Sequence, residues 1–341
     1  ASVRRREWWQ GVMTSVLASA PGKVVLSGEY AVLDGAPAIA MAVDRRATVT
    51  LSAIEGEVSE VRAPAYTPVV GHFQISEAGV NWQDGRDVFG AVNAVLRAVE
   101  AAPGSAIALN LDTAEFIDAD TRRKIGIGSS AALTVALCAA VRESTDVAAI
   151  ARRAHADLQG GAGSGVDVAC SLSGGLIEYR MEGYSARVLD WPASLFYGLV
   201  WTGTVASTKD KLEKLDAGLS RPSRVRLASA SEAMAKAWVG GSATNVLVEY
   251  RDYCESLFRF SIDHDLGIFD AGHDELWRAA VAANLVYKPC GAGGGDIGIV
   301  LSTNEAALAA FLGRLPTKYR VLDYKLDTTG VRVDIPTAER P

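Results

Sequence analysis

The chain has 341 residues, 49% of them hydrophobic and 22% charged, with a formal net charge of −6. That is an ordinary globular composition, long enough for about two domains. The acidic balance argues against a general nucleic-acid-binding surface, and no apolar run reaches the ~18–20 residues of a bilayer span.

The N-terminal stretch ASVRRREWWQGVMTSVLASAPGK is basic and carries Trp8 and Trp9. It lacks the apolar centre of a secretory signal, so no signal peptide is expected, and Met13 is a candidate natural start. Residues 22–54 alternate short β-rich runs with turn signals such as DGAP and predict several strands. DVFGAVNAVLRAVEA (87–101) has apolar residues at helical spacing and stops at APG. SAIALNLD (105–112) predicts a strand, and Ser129 to about Val141 predicts a largely buried helix. A second helix is expected over 145–158, opening with Ser/Thr/Asp capping residues. The pattern changes near 182–195. FYGLVWTG (196–203) predicts a strand, STKDKLEKL a charged helix start, and helical spacing then dominates to about Asn284. GDIGIVLS (295–302) predicts a strand, NEAALAAFLGRL (304–315) a helix, and two strand-like runs close the chain around 319–333. The class is α+β, with a soft domain boundary at about 190–195 and no internal repeat.

Cys138, Cys170, Cys254 and Cys290 are widely spaced with no CxxC pair, which fits reduced thiols in a cytoplasmic protein. The four histidines form no ligand pattern, which argues against a structural zinc site.

Four segments carry candidate chemistry. In SAPGKVVLSGEYAVLDG (19–35), Lys23 follows a Pro-Gly turn and opens a strand; alone, such a lysine is usually solvated. In KIGIGSSAALTV (124–135), Gly126 and Gly128 let the backbone approach a ligand. Ser129 and Ser130 fall at a helix N-terminus, where unpaired amides and the dipole favour an anion and a serine hydroxyl can ligate Mg²⁺. The stretch is not GxxxxGK[ST], so it is no P-loop, and a plain glycine turn with a serine cap fits it equally well. LVYKPCGAGGGDIGIVL (285–301) has five glycines, more than a hinge needs. In AHADLQGGAGSGVDVACSLSGG (154–175), Asp167 is the carboxylate of a glycine-serine turn; in isolation it reads as a helix cap before it reads as a catalytic group.

Together and in this order, GEYAVLDG (28–35), KIGIGSSAA (124–132), AHADLQGGAGSGVDVA (154–169), WTGTVAST (201–208) and CGAGGGDIG (290–298) resemble the GHMP small-molecule kinases, and within them the phosphomevalonate kinases. The resemblance runs from about Ser19 to Leu301. It implies an N-terminal domain of ribosomal-protein-like topology over 1–192, a ferredoxin-like C-terminal domain over 193–341, and ATP in the cleft between them. It implies that Gly126, Gly128, Ser129, Ser130 and Ala131 of the 124–132 loop wrap the ATP phosphates, with Ser130 on Mg²⁺. Lys23 and Asp167 would be catalytic. Tyr30, Lys124, Ser207, Gly293 and Gly294 would meet the acceptor. The implied reaction is ATP-dependent phosphorylation of phosphomevalonate to diphosphomevalonate by a cytoplasmic monomer or homodimer. A hydroxyl acceptor such as mevalonate, or a related ATP-dependent decarboxylase, are the alternatives. Two features depart from the family. Mevalonate kinases carry a Mg²⁺-binding glutamate where this chain has Ala156, and Cys290 stands where serine or threonine is common. Cys290 is expected to pack rather than react, His155 to serve helix packing, and Arg45 and Arg46 to be surface charges.

Overall fold

A computed structural model describes residues 15–101, 105–141, 146–161, 163–206, 211, 214–215 and 222–334. In chain order the first strands are β1 (Val16–Ser27), β2 (Ala38–Ala53), β3 (Ser59–Ala63), β4 (Thr67–Ser76) and β5 (Gly79–Asp84). Helix α1 (Gly90–Ala98) and strand β6 (Ile107–Asp112) follow, then helices α2 (Ser129–Val141), α3 (Val147–Leu158) and α4 (Val166–Ser173). Strands β7 (Leu176–Arg180), β8 (Ser185–Leu189) and β9 (Phe196–Trp201) precede the long helices α5 (Pro222–Gly240) and α6 (Ala243–Asp263). The chain ends with α7 (His273–Ala282), β10 (Val286–Pro289), β11 (Ile297–Ser302), α8 (Glu305–Leu312), β12 (Arg320–Leu322) and β13 (Arg332–Asp334).

The strands form two sheets. The first runs β13-β1-β2-β6-β3-β4-β5, with β7 on the other end of β2 and β8 beside β7. The sixteen-residue β2 serves two partners: its residues 38–41 pair with β7 and its residues 48–53 with β6. Among the described residues, the β3–β6 pairing is the parallel one in this sheet. The second sheet, β10-β11-β9-β12, is antiparallel. Every residue of β11 is buried, which is why its sequence reads as an unbroken apolar run rather than an alternation.

Helix α2 is apolar on all sides because it is enclosed, packing on β1 and β2 beneath and on α1, α3 and α4 at its flanks. One hydrophobic cluster joins both halves: Leu26 and Met41 of the first sheet share it with Trp238, Tyr250 and Leu257 of the long helices and Ile299 of β11. A second lies under the first sheet, around Val49, Phe73, Val95, Leu109 and Val135. Among the described residues no helix is long and apolar enough to cross a membrane.

The last strand, β13, one of the two strand-like runs expected around 319–333, crosses back to pair antiparallel with Leu17–Ser19 of β1. Arg46 is not a solvated surface charge. Its guanidinium bonds the Asp327 carboxylate at 2.5 Å, the Ser19 carbonyl at 3.0 Å and the Gly330 carbonyl at 2.7 Å, and so clamps the returning chain onto β1. Arg45 lies over the Tyr324 ring at 4.4 Å.

Candidate active site

The site is built around a bend in β1. The β1–β2 register shifts between Pro21 and Gly22, and the next amide, Lys23 N–H, leaves the ladder's regular run to donate to the Ile127 carbonyl at 2.8 Å. This ties β1 to the 124–132 loop. The Lys23 side chain crosses Gly128, where a Cβ would lie 2.9 Å from Lys23 Cε; with φ +81 as well, Gly128 admits no larger residue without displacing the lysine. Lys23 is buried, and its Nζ stands 3.3 Å from Asp167 Oδ1.

Asp167 is therefore not a cap. Gly165, in the left-handed region at φ 84, holds the N-cap of α4, and Asp167 sits in the first turn, where the helix dipole favours a carboxylate. Burial works to lower the Lys23 pKa, but the Asp167 carboxylate and then Asp296 outweigh it and hold the ammonium above its ordinary value. The lysine is a fixed cation.

Helix α2 begins at Ser129, and the Ala132 amide donates to the Gly128 carbonyl at 3.1 Å. The amides of the first turn have no partner within the helix. They border a cavity of about 170 Å³ lined by Lys23, Lys124, Gly126, Ser130, Asp167 and Asp296. Two further cavities share its walls. One, of about 110 Å³, shares Lys23 and Asp167 and adds Glu29, Tyr30, Val32 and His155. The other, of about 250 Å³, shares Lys124, Ser129 and Ser130 and is otherwise mainly apolar, with Tyr66, Phe89 and Phe116. The Lys23–Asp167 pair thus stands between the first two cavities, and Lys124 with the start of α2 between the first and third.

The expected residues fall into place unevenly. Lys23, Gly126, Gly128, Ser129, Ser130 and Asp167 line the central cavity together, with Lys124 exposed at its edge, 5.7 Å from the Tyr66 ring centroid. Ala131 is buried beneath it. Tyr30 lines the smaller cavity, its hydroxyl donating to the Ala292 carbonyl at 2.7 Å, with φ 62. Lys124 lies on the side of the apolar cavity rather than beside Tyr30. Ser207 lies outside the described residues. Gly293 and Gly294 differ from expectation: the cavity walls are formed by Gly291 and Ala292, while Gly293 packs on Ile268 and Gly294 donates to the Ile268 carbonyl at 2.7 Å. The loop before β11 must pass tightly over the 266–268 turn, and those two glycines are used there.

Cys290 is buried as expected, with burial pushing its thiol up to about 11. His155 does more than pack: it lines the Tyr30 cavity, and burial lowers its pKa.

Asp296 carried no expected role. Its side chain lies against Gly126, Oδ1 accepts from the Ala206 amide at 3.1 Å, and its main chain exchanges hydrogen bonds with Thr202 and Thr204. Burial raises its pKa to about 6, against the pull of the Ala206 amide, Lys23, Lys124 and Lys211. The carboxyl following three glycines in GGGDIG was its only local signal. Among the described residues there is no group of three or more His, Cys, Asp or Glu arranged to hold a metal. The central cavity does offer hard oxygen donors, from Ser129, Ser130, Asp167 and Asp296. That donor set fits a Mg²⁺ taking most of its ligands from phosphate and water.

Residues 88–175 match the family description "GHMP kinases N terminal domain". The chain is 32% identical over 347 residues to a phosphomevalonate kinase of Streptomyces sp. (strain CL190), covering 86% of this chain and 91% of that one. It is 29% identical over 315 residues to a mevalonate kinase of Pyrococcus furiosus, covering 85% and 90%. Its fold superposes on that of Streptococcus pneumoniae phosphomevalonate kinase, solved with phosphomevalonate and AMPPNP, with a TM-score of 0.75 at 16% identity, covering 91% of this chain and 99% of that one.

Proposed function

Because the chain belongs to the GHMP kinase family and is an ATP-dependent kinase, we propose that it phosphorylates phosphomevalonate to diphosphomevalonate, a step of isoprenoid precursor synthesis. The carrying observation is the ion pair of buried Lys23 with half-buried Asp167, set between a cavity at the start of α2 and a separate cavity walled by Tyr30. In this reading the apolar cavity takes the adenine, the central one the phosphates, and the Tyr30 cavity the body of the acceptor. Residues 1–192 and 193–341 are the two domains that flank them, with β13 of the second returned to the sheet of the first. A phosphorylated acceptor is favoured by the extent of similarity to the Streptomyces enzyme and by Lys124, a second cation on the central cavity.

The chemistry then follows from charge. A phosphate acceptor has a second pKa of about 6 and is largely ionised at neutral pH, so no strong base is needed. The task is to bring two polyanions into line. Lys23 meets the charge on the transferred group, and Asp167 fixes the lysine's position. The α2 amides hold the donor phosphates and their developing charge, and Lys124, at the edge of the same cavity, meets the phosphate of the acceptor. Mg²⁺, when bound, would screen the phosphate oxygens, held by the Ser130 hydroxyl with the Asp167 and Asp296 carboxylates as the nearby protein oxygens. Ala156 supplies no ligand.

A hydroxyl acceptor such as mevalonate is the second reading, supported by the similarity to the Pyrococcus enzyme and by the nearness of Asp167 to both cavities, where it would serve as a base. A coupled ADP-release assay comparing phosphomevalonate with mevalonate tests the proposal. Turnover of phosphomevalonate at a kcat/KM well above that of mevalonate is expected; the reverse order would replace it with the second reading. The four cysteines, all free and buried, suit a reducing, cytoplasmic setting. Sedimentation would distinguish monomer from homodimer.

A further inference from the structure

Behind the Tyr30 cavity lies a lysine with no exposure. Lys288, in β10 of the second sheet, is fully buried and ion-paired with Glu29 of the turn after β1. Its other polar neighbours are the Val25 carbonyl at 3.4 Å and the Cys290 sulfur at 3.9 Å. Glu29 is 5% exposed, and the little it shows faces the cavity that also holds Lys23 and Asp167. The second Glu29 oxygen accepts from the Tyr253 hydroxyl of α6 at 2.6 Å, and that hydroxyl accepts in turn from the Gly28 amide at 2.8 Å. The turn bearing Glu29 and Tyr30 is therefore held from β10 and α6, more than 220 residues away in sequence.

A buried ion pair is a poor way to gain stability, since desolvating both charges consumes most of their attraction, and an apolar pair of similar volume often serves as well. This one has a different consequence. A carboxylate on the wall of a cavity for an anionic acceptor would repel that acceptor, unless its charge were cancelled from behind. Each Glu29 oxygen also keeps lone-pair capacity after binding Lys288 and Tyr253, so the wall can still accept a hydrogen bond from an acceptor hydroxyl.

We propose that Lys288 is a positioning residue for acceptor binding: it neutralises Glu29 from behind and, with Tyr253, fixes the Gly28–Tyr30 turn, so that the acceptor meets a neutral hydrogen-bonding wall instead of a free carboxylate. This rests on reading the Tyr30 cavity as the acceptor site.

The test is steady-state ADP release by the full chain, with KM for acceptor and KM for ATP determined separately. Lys288→Met should raise the acceptor KM about tenfold or more while the ATP KM stays within about twofold. Adding Glu29→Gln to Lys288→Met should bring the acceptor KM back to that of Glu29→Gln alone, a rescue that loss of packing would not produce. Tyr253→Phe, which removes one hydroxyl, should raise the acceptor KM about threefold. An unchanged acceptor KM in Lys288→Met, an equal rise in both KM values, or a double variant no better than Lys288→Met would each overturn the proposal. Should Lys288→Met fail to fold, as judged by circular dichroism, the Tyr253→Phe value and the double variant decide in the same way. A wild-type chain inactive with both phosphomevalonate and mevalonate would instead remove the functional reading beneath it; an active wild type with an unaffected Lys288→Met removes this inference alone.

Discussion

Two of the glycine-bearing loops, 124–132 with two glycines and 290–298 with five, make way for different things. In the first, the chain turns at Gly128 so that Lys23 can pass over it and α2 can open toward a cavity. In the second, Gly293 and Gly294 give way to the protein's own backbone at Gly267 and Ile268, and only Gly291 and Ala292 reach a cavity wall. Small residues signal a close approach; they do not say whether the neighbour is a ligand or another segment of the chain. The loops meet where Asp296 of the second lies against Gly126 of the first and brings a second carboxyl, after Asp167, to the cavity at the start of α2.

This contrast can be broken by substitution, beginning with the largest effect. Lys23→Met removes the buried cation held against the first loop and should lower kcat by about a thousandfold, roughly 4 kcal/mol of transition-state stabilisation, with the fold retained. ADP release beside a thermal melt checks both halves of that statement; near-normal turnover would mean the phosphates lie elsewhere.

Asp296→Asn tests the point where the loops meet. Burial raises the Asp296 pKa from 3.8 to about 6, so above that pH the folded protein carries a carboxylate it holds less favourably than the unfolded chain does. The folded state takes up the proton first as pH falls, so wild-type stability should rise between about pH 6 and pH 4 on this account. The Asn variant should therefore be more stable than wild type at pH 8, by up to about 3 kcal/mol, with the gain fading as pH drops below 6. Urea unfolding at pH 8 and pH 5 measures it. An equal or opposite difference at the two pH values would show that the carboxyl is not strained by burial.

Lys124→Met should reduce kcat/KM with phosphomevalonate about fiftyfold, somewhat over 2 kcal/mol, since this lysine is exposed and partly screened by solvent. Retention of full activity would undercut the phosphorylated-acceptor reading. The smallest effect falls on the second loop. At Gly293, φ is +68 and a Cβ would lie 2.6 Å from the Ile268 carbonyl oxygen. Gly293→Ala should cost about 2 kcal/mol of folding stability while leaving both KM values of the folded enzyme unchanged. A selective rise in acceptor KM would instead make that glycine part of the binding surface.

Local structure was legible in the residues alone. Helical spacing located α1, α2 and α3 to within a few residues, apolar runs located β9 and β11, and the glycine-serine stretch at 126–130 marked the turn into α2. These follow from periodicity and turn chemistry, which act between residues a few positions apart. Lys23 and Asp167 became candidates only through the resemblance of their segments to a family, because nothing local joins two residues 144 positions apart. The rest came from long-range packing. It turned Asp167 from an apparent cap into the partner of Lys23, sent β13 back to the first sheet, and made Arg46 the clamp on that returning strand. The same packing used Gly293 and Gly294 against the 266–268 turn, brought Asp296 against the 124–132 loop, and placed Lys288 behind Glu29. Each of these depends on which surfaces the two sheets and the enclosed α2 bring into contact once their apolar faces are buried, and a residue's own neighbours in sequence carry no record of that choice.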